Sequence, residues 1–335
     1  MTSDAAPSPS PSTAPPAAPV PSASRELLPP AARVFVAGHR GLVGSAVARH
    51  LAAEGYHVLT RTRGELDLRD AGRTAGFLRA ERPDAVVLAA AKVGGIMANS
   101  TFPVPFLEDN LRIQLSVIAG AHAADIDRLL FLGSSCIYPK HAAQPIREEA
   151  LLTGPLEPTN EPYALAKIAG ICQVQSYRRQ FGRRYIAAMP TNLYGPGDNF
   201  DPETSHVLPA LIRRFHEAKE AGREEVLLWG SGTPRREFLH SDDLARACLL
   251  LLRSYDDEVP VNVGCGQDLS IAELAVLIAD AVGYRGRIGW DTSKPDGTPR
   301  KLLDVTRLEK LGFVPRMPLE RGIRETYRWW LHSGS

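Results

Sequence analysis

The chain has 335 residues, 44% of them hydrophobic and 23% charged, with a formal net charge of +1. That length buries one large core or two modest ones, and so small a net charge excludes a global field for nucleic acid or an anionic membrane, leaving any anionic ligand to local arginines and lysines. Four cysteines, Cys136, Cys172, Cys248 and Cys265, stand far apart with no C-x-x-C, which argues against a zinc site or a disulfide framework and fits a reducing compartment.

Residues 1–30 are dominated by Ala, Pro and Ser. They lack a basic start, a signal-type apolar core and a helical period, so a disordered tail is expected. No later segment has the uninterrupted apolar length of a membrane span; even Ala245 to Leu252, with Arg246 and Arg253, is short. A cytoplasmic protein is expected.

Arg33-Val-Phe-Val-Ala37 predicts an apolar strand that runs into Gly38-His39-Arg40-Gly41-Leu42-Val43-Gly44, followed by a helical pattern from Ser45 to Glu54. Glycines there permit a tight turn and let a pyrophosphate approach backbone N–H groups at a helix N-terminus. Strand, loop and helix together predict a dinucleotide site. A second strand, about His57 to Arg61, ends in Arg61-Thr-Arg63 without an acidic residue at its tip, where an NAD reader usually carries a carboxylate for the ribose hydroxyls. Arg61 and Arg63, with Arg40 from the loop, offer guanidinium forks suited to a 2′-phosphate, which favours NADP. Glu65 and Asp67 speak against it, and solvated charges after a strand are the plain alternative.

Asp84 to Ala91 predicts the next strand, and Ala89-Ala-Ala-Lys92-Val-Gly-Gly95 packs small residues where backbone passes close to a cofactor. Asn110 opens a predicted amphipathic helix through Ala124. Arg128 to Leu132 predicts a strand whose end, Gly133-Ser134-Ser135-Cys136, carries two hydroxyls and a thiol, and in open α/β sheets ligands bind at the carboxyl ends of strands. Residues 163–181 predict a helix closed by Gly182. Tyr163 and Lys167 share one face of it at i and i+4, where an ammonium favours the phenolate. Tyr185 to Met189 predicts another strand, broken at Pro190-Thr191-Asn192-Leu193-Tyr194-Gly195.

Beyond this point the alternation becomes irregular. Ser205 to Phe215 reads as a short helix with His206, Arg213 and Arg214, and Val226 to Trp229 as a strand before a glycine turn and Arg235-Arg236. Both are candidates to meet a nucleotide diphosphate. Asp242-Asp243 start a helix as favourable N-terminal charge, Val259 to Val263 is a strand, and Ser270 caps Ile271 to Val282. The polar segment Lys294 to Lys301, a predicted binding loop, precedes a last helix from Leu319. The predicted fold class is α/β: a Rossmann-type doubly wound parallel sheet over 31–190, with later strands near 226–263 added back, and a smaller, mainly substrate-binding C-terminal region over 191–335.

A glycine loop, a strand-end serine and Tyr-x-x-x-Lys in this order resemble the extended, sugar-nucleotide-modifying branch of the short-chain dehydrogenases/reductases. The stretches Gly133-Ser-Ser-Cys-Ile-Tyr-Pro-Lys140, Met189-Pro-Thr-Asn-Leu-Tyr-Gly195, Asp198-Asn-Phe200 with Ser205-His206, Trp229-Gly-Ser-Gly-Thr-Pro234 and Lys294-Pro-Asp-Gly-Thr-Pro-Arg-Lys301 narrow the resemblance to the GDP-L-fucose synthases, over about residues 33 to 330. It implies epimerisation of GDP-4-keto-6-deoxy-D-mannose at C3 and C5, then reduction of its C4 ketone with NADPH. By the family pattern Cys136 and His206 together supply the one base and one acid of the epimerisation, Tyr163 gives the proton to the C4 oxygen, Ser134 hydrogen-bonds that oxygen, and Lys167 binds the nicotinamide ribose.

The same resemblance lays NADP(H) along Gly38 to Gly44, along Arg63, Gly64, Glu65, Leu66, Asp67 and Leu68, along Leu132, Gly133, Ser134 and Ser135, and against Lys167, Pro190, Thr191, Asn192, Leu193 and His206. It gives the GDP-sugar to Arg214, Trp229, Arg236, Asp296 and Lys301, with no metal. Read alone, Trp229 suits a core, Arg214 a helix face, a single cysteine a small hydrophobe, and a lone histidine no catalysis; the matched sequence around each reverses those readings. A homodimer is expected, with no nucleic-acid or membrane partner. The rivals are a nucleotide-sugar 4-epimerase, a 4,6-dehydratase, which would carry a carboxylate pair where Cys136 and Ile137 stand, and a non-enzymatic NADP-sensing scaffold, which typically loses the Tyr or Lys kept here.

Overall fold

Short apolar runs separated by helices set the order of the first half. In the computed structural model, which describes residues 27–294 and 296–333, β1 (Arg33–Ala37) leads to α1 (Leu42–Ala53), β2 (His57–Leu59), α2 (Ala71–Glu81) and β3 (Ala85–Leu88). There follow α3 (Ile96–Thr101), α4 (Pro103–Ala123), β4 (Arg128–Leu132), α5 (Glu161–Phe181) and β5 (Arg184–Pro190). Residues 1–26 of the expected tail lie outside the described residues. Leu28, near its end, is fully buried, and the Leu27 N–H donates to the Arg253 carbonyl at 2.9 Å.

The second half runs through β6 (Asn192–Tyr194), α6 (Val207–Glu220), β7 (Glu225–Trp229), β8 (Arg235–His240), α7 (Ser241–Ser254), β9 (Val261–Val263) and β10 (Asp268–Ser270). It closes with α8 (Ile271–Val282), β11 (Arg287–Asp291), β12 (Arg300–Lys301), α9 (Thr306–Lys310) and α10 (Leu319–Ser333). The main sheet has the order β2-β1-β3-β4-β5-β9, every pairing parallel. From β1 the chain steps outward to β2 and then crosses to β3 on the other side of β1. That reversal opens a crevice at the carboxyl ends of β1 and β3, where such sheets bind ligands.

Both faces of the sheet are covered, which is why β3 and β4 are buried at every residue. One face packs Leu51 of α1 and Leu244 and Leu251 of α7 against Val34 and Val36. The other packs Leu78 of α2, Val117 of α4 and Ile171 of α5 against Phe35 and Phe131. A third core unites α6, α8 and α10 through Phe215, Leu274, Ile278 and Ile323.

Of the stretch near 226–263 expected to return to the main sheet, only β9 does. Strand β7 pairs with β11, and β8 lies among β6, β10 and β12. The reason is amphipathicity: β7 alternates exposed and buried residues, and a strand with one wet face does not fit a sheet covered on both sides. Helix α4 also begins seven residues before the predicted start at Asn110. Proline is tolerated in a first helical turn, and Pro103 occupies it.

Glu237 ties the two regions together. Its buried carboxylate accepts from the N–H groups of Cys265 and Gly266 at 2.7 Å each and of Leu303 at 3.2 Å. The turn after β9 and the chain after β12 are thereby fixed to β8, which sets Lys301 and Arg236 over the end of β4.

Candidate active site

The glycine loop after β1 is forced by space. Gly38 has φ +91°, and a Cβ there would lie 2.7 Å from Ala90 backbone; a Cβ at Gly44 would lie 2.1 Å from the Gly38 carbonyl oxygen. Only glycines allow this closeness. Helix α1 starts behind the loop with Gly41 at its N-cap and no side-chain cap, so its first N–H groups point unclaimed into the crevice, as an anion site requires. These features fit the pyrophosphate of a dinucleotide.

The two arginines after β2 part ways. Arg61 is committed to the fold: it pairs with Glu81 at 2.7 Å and lies over the Phe77 ring at 4.8 Å, contacts that compete with its expected part in phosphate binding. Arg63 stays exposed, with Asp67 4.0 Å away. Asp67 itself is held at 2.6 Å by Arg69, whose hydrogen bonds bring its carboxyl down to about 2. Gly64 and Glu65 are exposed, while Leu66 is buried and Leu68 half-buried beneath the loop.

Thr191 and Asn192 are held by their side chains to the Glu237 carbonyl, at 3.3 Å and 2.8 Å. Pro190 is buried and Leu193 half-buried beside them.

At the end of β4, Gly133 is locked to β5 by a 2.8 Å bond from its N–H to the Ala188 carbonyl. The Ser134 hydroxyl accepts from the Cys136 N–H at 3.3 Å, which turns Ser135–Ile137 into one 3₁₀ turn. Ser134 and Cys136 thus sit side by side at the strand tip, with Ser135 buried behind them. Lys167, on α5, donates to the Leu132 carbonyl at 2.7 Å, and its ammonium is 5.9 Å from the centre of the Tyr163 ring. Tyr163 meets Ser134 through a hydrogen bond that opposes the rise of its phenol, a rise caused by burial and then by Cys136.

The spacing of Tyr163 and Lys167 predicts a phenol eased toward phenolate. The structure corrects this. Burial raises Tyr163 well above its ordinary range and lowers Lys167 to about 7, because desolvation disfavours the charged form of each.

Cations gather on the far side of Cys136. Lys301 puts its Nζ 3.6 Å from the Cys136 Sγ. Burial lowers the Arg236 guanidinium, and Cys136 and Glu157 beside it oppose that shift. His206 is exposed at the N-cap of α6. Its crowded surroundings and then the Lys301 charge hold its imidazole below the usual range. The loop bearing His206 is docked onto the strand-end glycines: the Gly95 N–H donates to Thr204 at 2.9 Å, and a Cβ on Gly95 would lie 2.5 Å from the Ser205 carbonyl oxygen.

Trp229 and Asp296 form a separate station at the tip of β7. Trp229 is 56% exposed, so the reading of it as core fails; Lys294 lies over its ring at 5.8 Å. Asp296 accepts from the N–H and hydroxyl of Ser231 at 2.6 Å and 2.8 Å. Arg214 is exposed on α6. The sequence reading missed Lys140, Glu157 and Asn160, which line one cleft with Cys136 and Lys301. Lys140 and Glu157 pair at 2.9 Å. Asn160, directly before a helix that opens Glu-Pro-Tyr, was the one legible signal among them.

The model of the NAD dependent epimerase/dehydratase family matches residues 34–264. The chain is 55% identical over 311 residues to the GDP-L-fucose synthase of Escherichia coli (strain K12), covering 90% of this chain and 97% of that protein. It is 57% identical over 303 residues to GDP-L-fucose synthase 1 of Arabidopsis thaliana, covering 90% of this chain and 94% of that one. Among solved structures, a GDP-L-fucose synthetase from Naegleria fowleri bound to NADP superposes with a TM-score of 0.85 at 30% identity, over 93% of this chain and 98% of that chain.

Proposed function

From a chain that belongs to the NAD dependent epimerase/dehydratase family, and within it to the GDP-L-fucose synthases, we infer an NADP-dependent enzyme that converts GDP-4-keto-6-deoxy-D-mannose to GDP-L-fucose. The observation that carries the reading is one cluster: Ser134 and Cys136 at the tip of β4, Tyr163 and Lys167 on α5, and Lys301 against Cys136. When bound, NADPH supplies the hydride that reduces C4. Gly38 to Gly44 and the first turn of α1 are our assignment for its pyrophosphate, and Arg63 for its 2′-phosphate.

In this reading the C4 ketone lies against the Ser134 and Tyr163 hydroxyls. The ketone acidifies the protons at C3 and C5, so that an acid and a base on opposite ring faces invert each centre through an enolate. Cys136 and His206 take those two roles. The raised Tyr163 is protonated at neutral pH, as the donor to the C4 oxygen has to be. Lys301 and Arg236 balance the negative charge of enolate and thiolate, and Trp229, exposed beside Asp296, offers a stacking face for the guanine.

The same reading takes the protein as a cytoplasmic homodimer. Its supports are Leu115 and Leu165, 53% and 47% exposed on the packed pair α4 and α5, and four free cysteines. No helix among the described residues is long and apolar enough to cross a membrane. The functional reading is tested by following NADPH absorbance with GDP-4-keto-6-deoxy-D-mannose and, as control, GDP-mannose, which has no ketone. Oxidation with the first alone supports it; none with either refutes it.

A further inference from the structure

Asn160 directly precedes α5, where an asparagine ordinarily caps a helix by accepting from the N–H of the second or third helical residue. Pro162 has no such N–H to give, and the Asn160 backbone, at φ −128° and ψ 13°, makes no side-chain cap bond. Its Oδ1 is nonetheless buried and has no hydrogen-bond partner. Buried polar atoms left unpaired are rare and costly in native proteins. The side chain lines the cleft that also holds Ser135, Cys136, Glu157, Thr298 and Lys301, three residues ahead of Tyr163.

We propose that Asn160 is a substrate-binding residue whose side-chain oxygen accepts a hydrogen bond from the C3 hydroxyl of the keto sugar. The inference rests on the function proposed above, which puts C4 at Ser134 and Tyr163 and its two neighbours within reach of Cys136. Of those two carbons only C3 bears a hydroxyl, since C5 carries the ring oxygen and the methyl group. A donor is therefore available beside the reacting carbons, in a cleft lined by the one residue here whose amide oxygen the fold leaves without a partner. The bond holds the ring in register while C3 passes through its planar enolate.

The test compares GDP-4-keto-6-deoxy-D-mannose with its 3-deoxy analogue on the wild type and on Asn160→Ala, by NADPH oxidation, or by competitive inhibition where turnover is slow. With the parent sugar, Asn160→Ala lowers kcat/KM by about 10- to 100-fold, the loss typical of one buried hydrogen bond, at an unchanged melting temperature. With the 3-deoxy sugar the substitution changes kcat/KM or the inhibition constant less than about twofold, because the partner is already missing. On the unmodified enzyme the 3-deoxy sugar loses to the parent by a similar factor, an arm that needs no variant. Equal losses on both sugars, no loss on either, or parity of the two sugars on the wild type overturns the assignment. A wild type that consumes no NADPH with the parent refutes the functional reading and this inference together, whereas full wild-type activity with equal losses refutes the inference alone.

Discussion

The Lys167 ammonium donates to the carbonyl of Leu132 at 2.7 Å, and this buried contact links the proposed catalytic helix to the tip of β4. Burial brings Lys167 from 10.5 to about 7, so between those pH values the unfolded chain binds a proton that the folded chain does not. Stability from this group therefore rises with pH across the window, by at most about 1.4 kcal/mol per unit. Urea unfolding from about pH 7 to about pH 10 should show the wild type gaining on Lys167→Met. Parallel curves would contradict a depressed lysine.

Arg61 and Arg63 should answer differently to truncation. Arg63→Ala removes the exposed guanidinium assigned to the 2′-phosphate, and the preference for NADPH over NADH in kcat/KM should fall about 10- to 150-fold, the worth of a charged hydrogen bond. Arg61→Ala breaks the Glu81 pair and the Phe77 contact instead, so it should lower the melting temperature while leaving the preference largely intact. The reverse pattern would exchange their roles.

Trp229→Ala should raise KM for the GDP-sugar about 5- to 150-fold, as losing a base-stacking face does. Because Trp229 is 56% exposed, the melting temperature should barely move. A large thermal loss with unchanged KM would return the residue to the packing role its composition first suggested.

Proton transfer at carbon and hydride transfer are assigned to different groups around one ketone, so mutation should separate them. With oxidised cofactor in D₂O, Tyr163→Phe should still exchange deuterium into C3 and C5 while reduction all but stops. Cys136→Ala should lose about 10²- to 10⁴-fold in exchange and still reduce the ketone slowly. Wild-type exchange by Cys136→Ala, followed by NMR, would leave Cys136 a packed residue at the strand tip.

Much of this arrangement was legible because local chemistry and fold agreed. The apolar run 33–37, the glycines after it and the hydroxyls after Leu132 each dictate their own turn, and Tyr163 and Lys167 need only a helix to meet one strand end. What escaped depends on partners far along the chain. Arg61 looked free until Glu81 reached it from α2, a helix hidden by Gly72 and Gly76 and signalled only by its Asp70 cap. Asn110 looked like a helix start, yet it lies buried inside α4, its amide bonded to the Lys92 backbone at 2.9 Å and 3.0 Å and to the Phe106 carbonyl at 2.6 Å. Glu237, with its three backbone donors from distant turns, has no local signature at all.

Whether one site inverts two carbons and reduces a third is read from the product formed in D₂O. Purified protein is given GDP-4-keto-6-deoxy-D-mannose and NADPH, and the GDP-sugar is read by NMR. The expected product is GDP-L-fucose carrying deuterium at C3 and C5 and protium, delivered from the cofactor, at C4. A reduced sugar that keeps the mannose configuration and protium at C3 and C5 would contradict it.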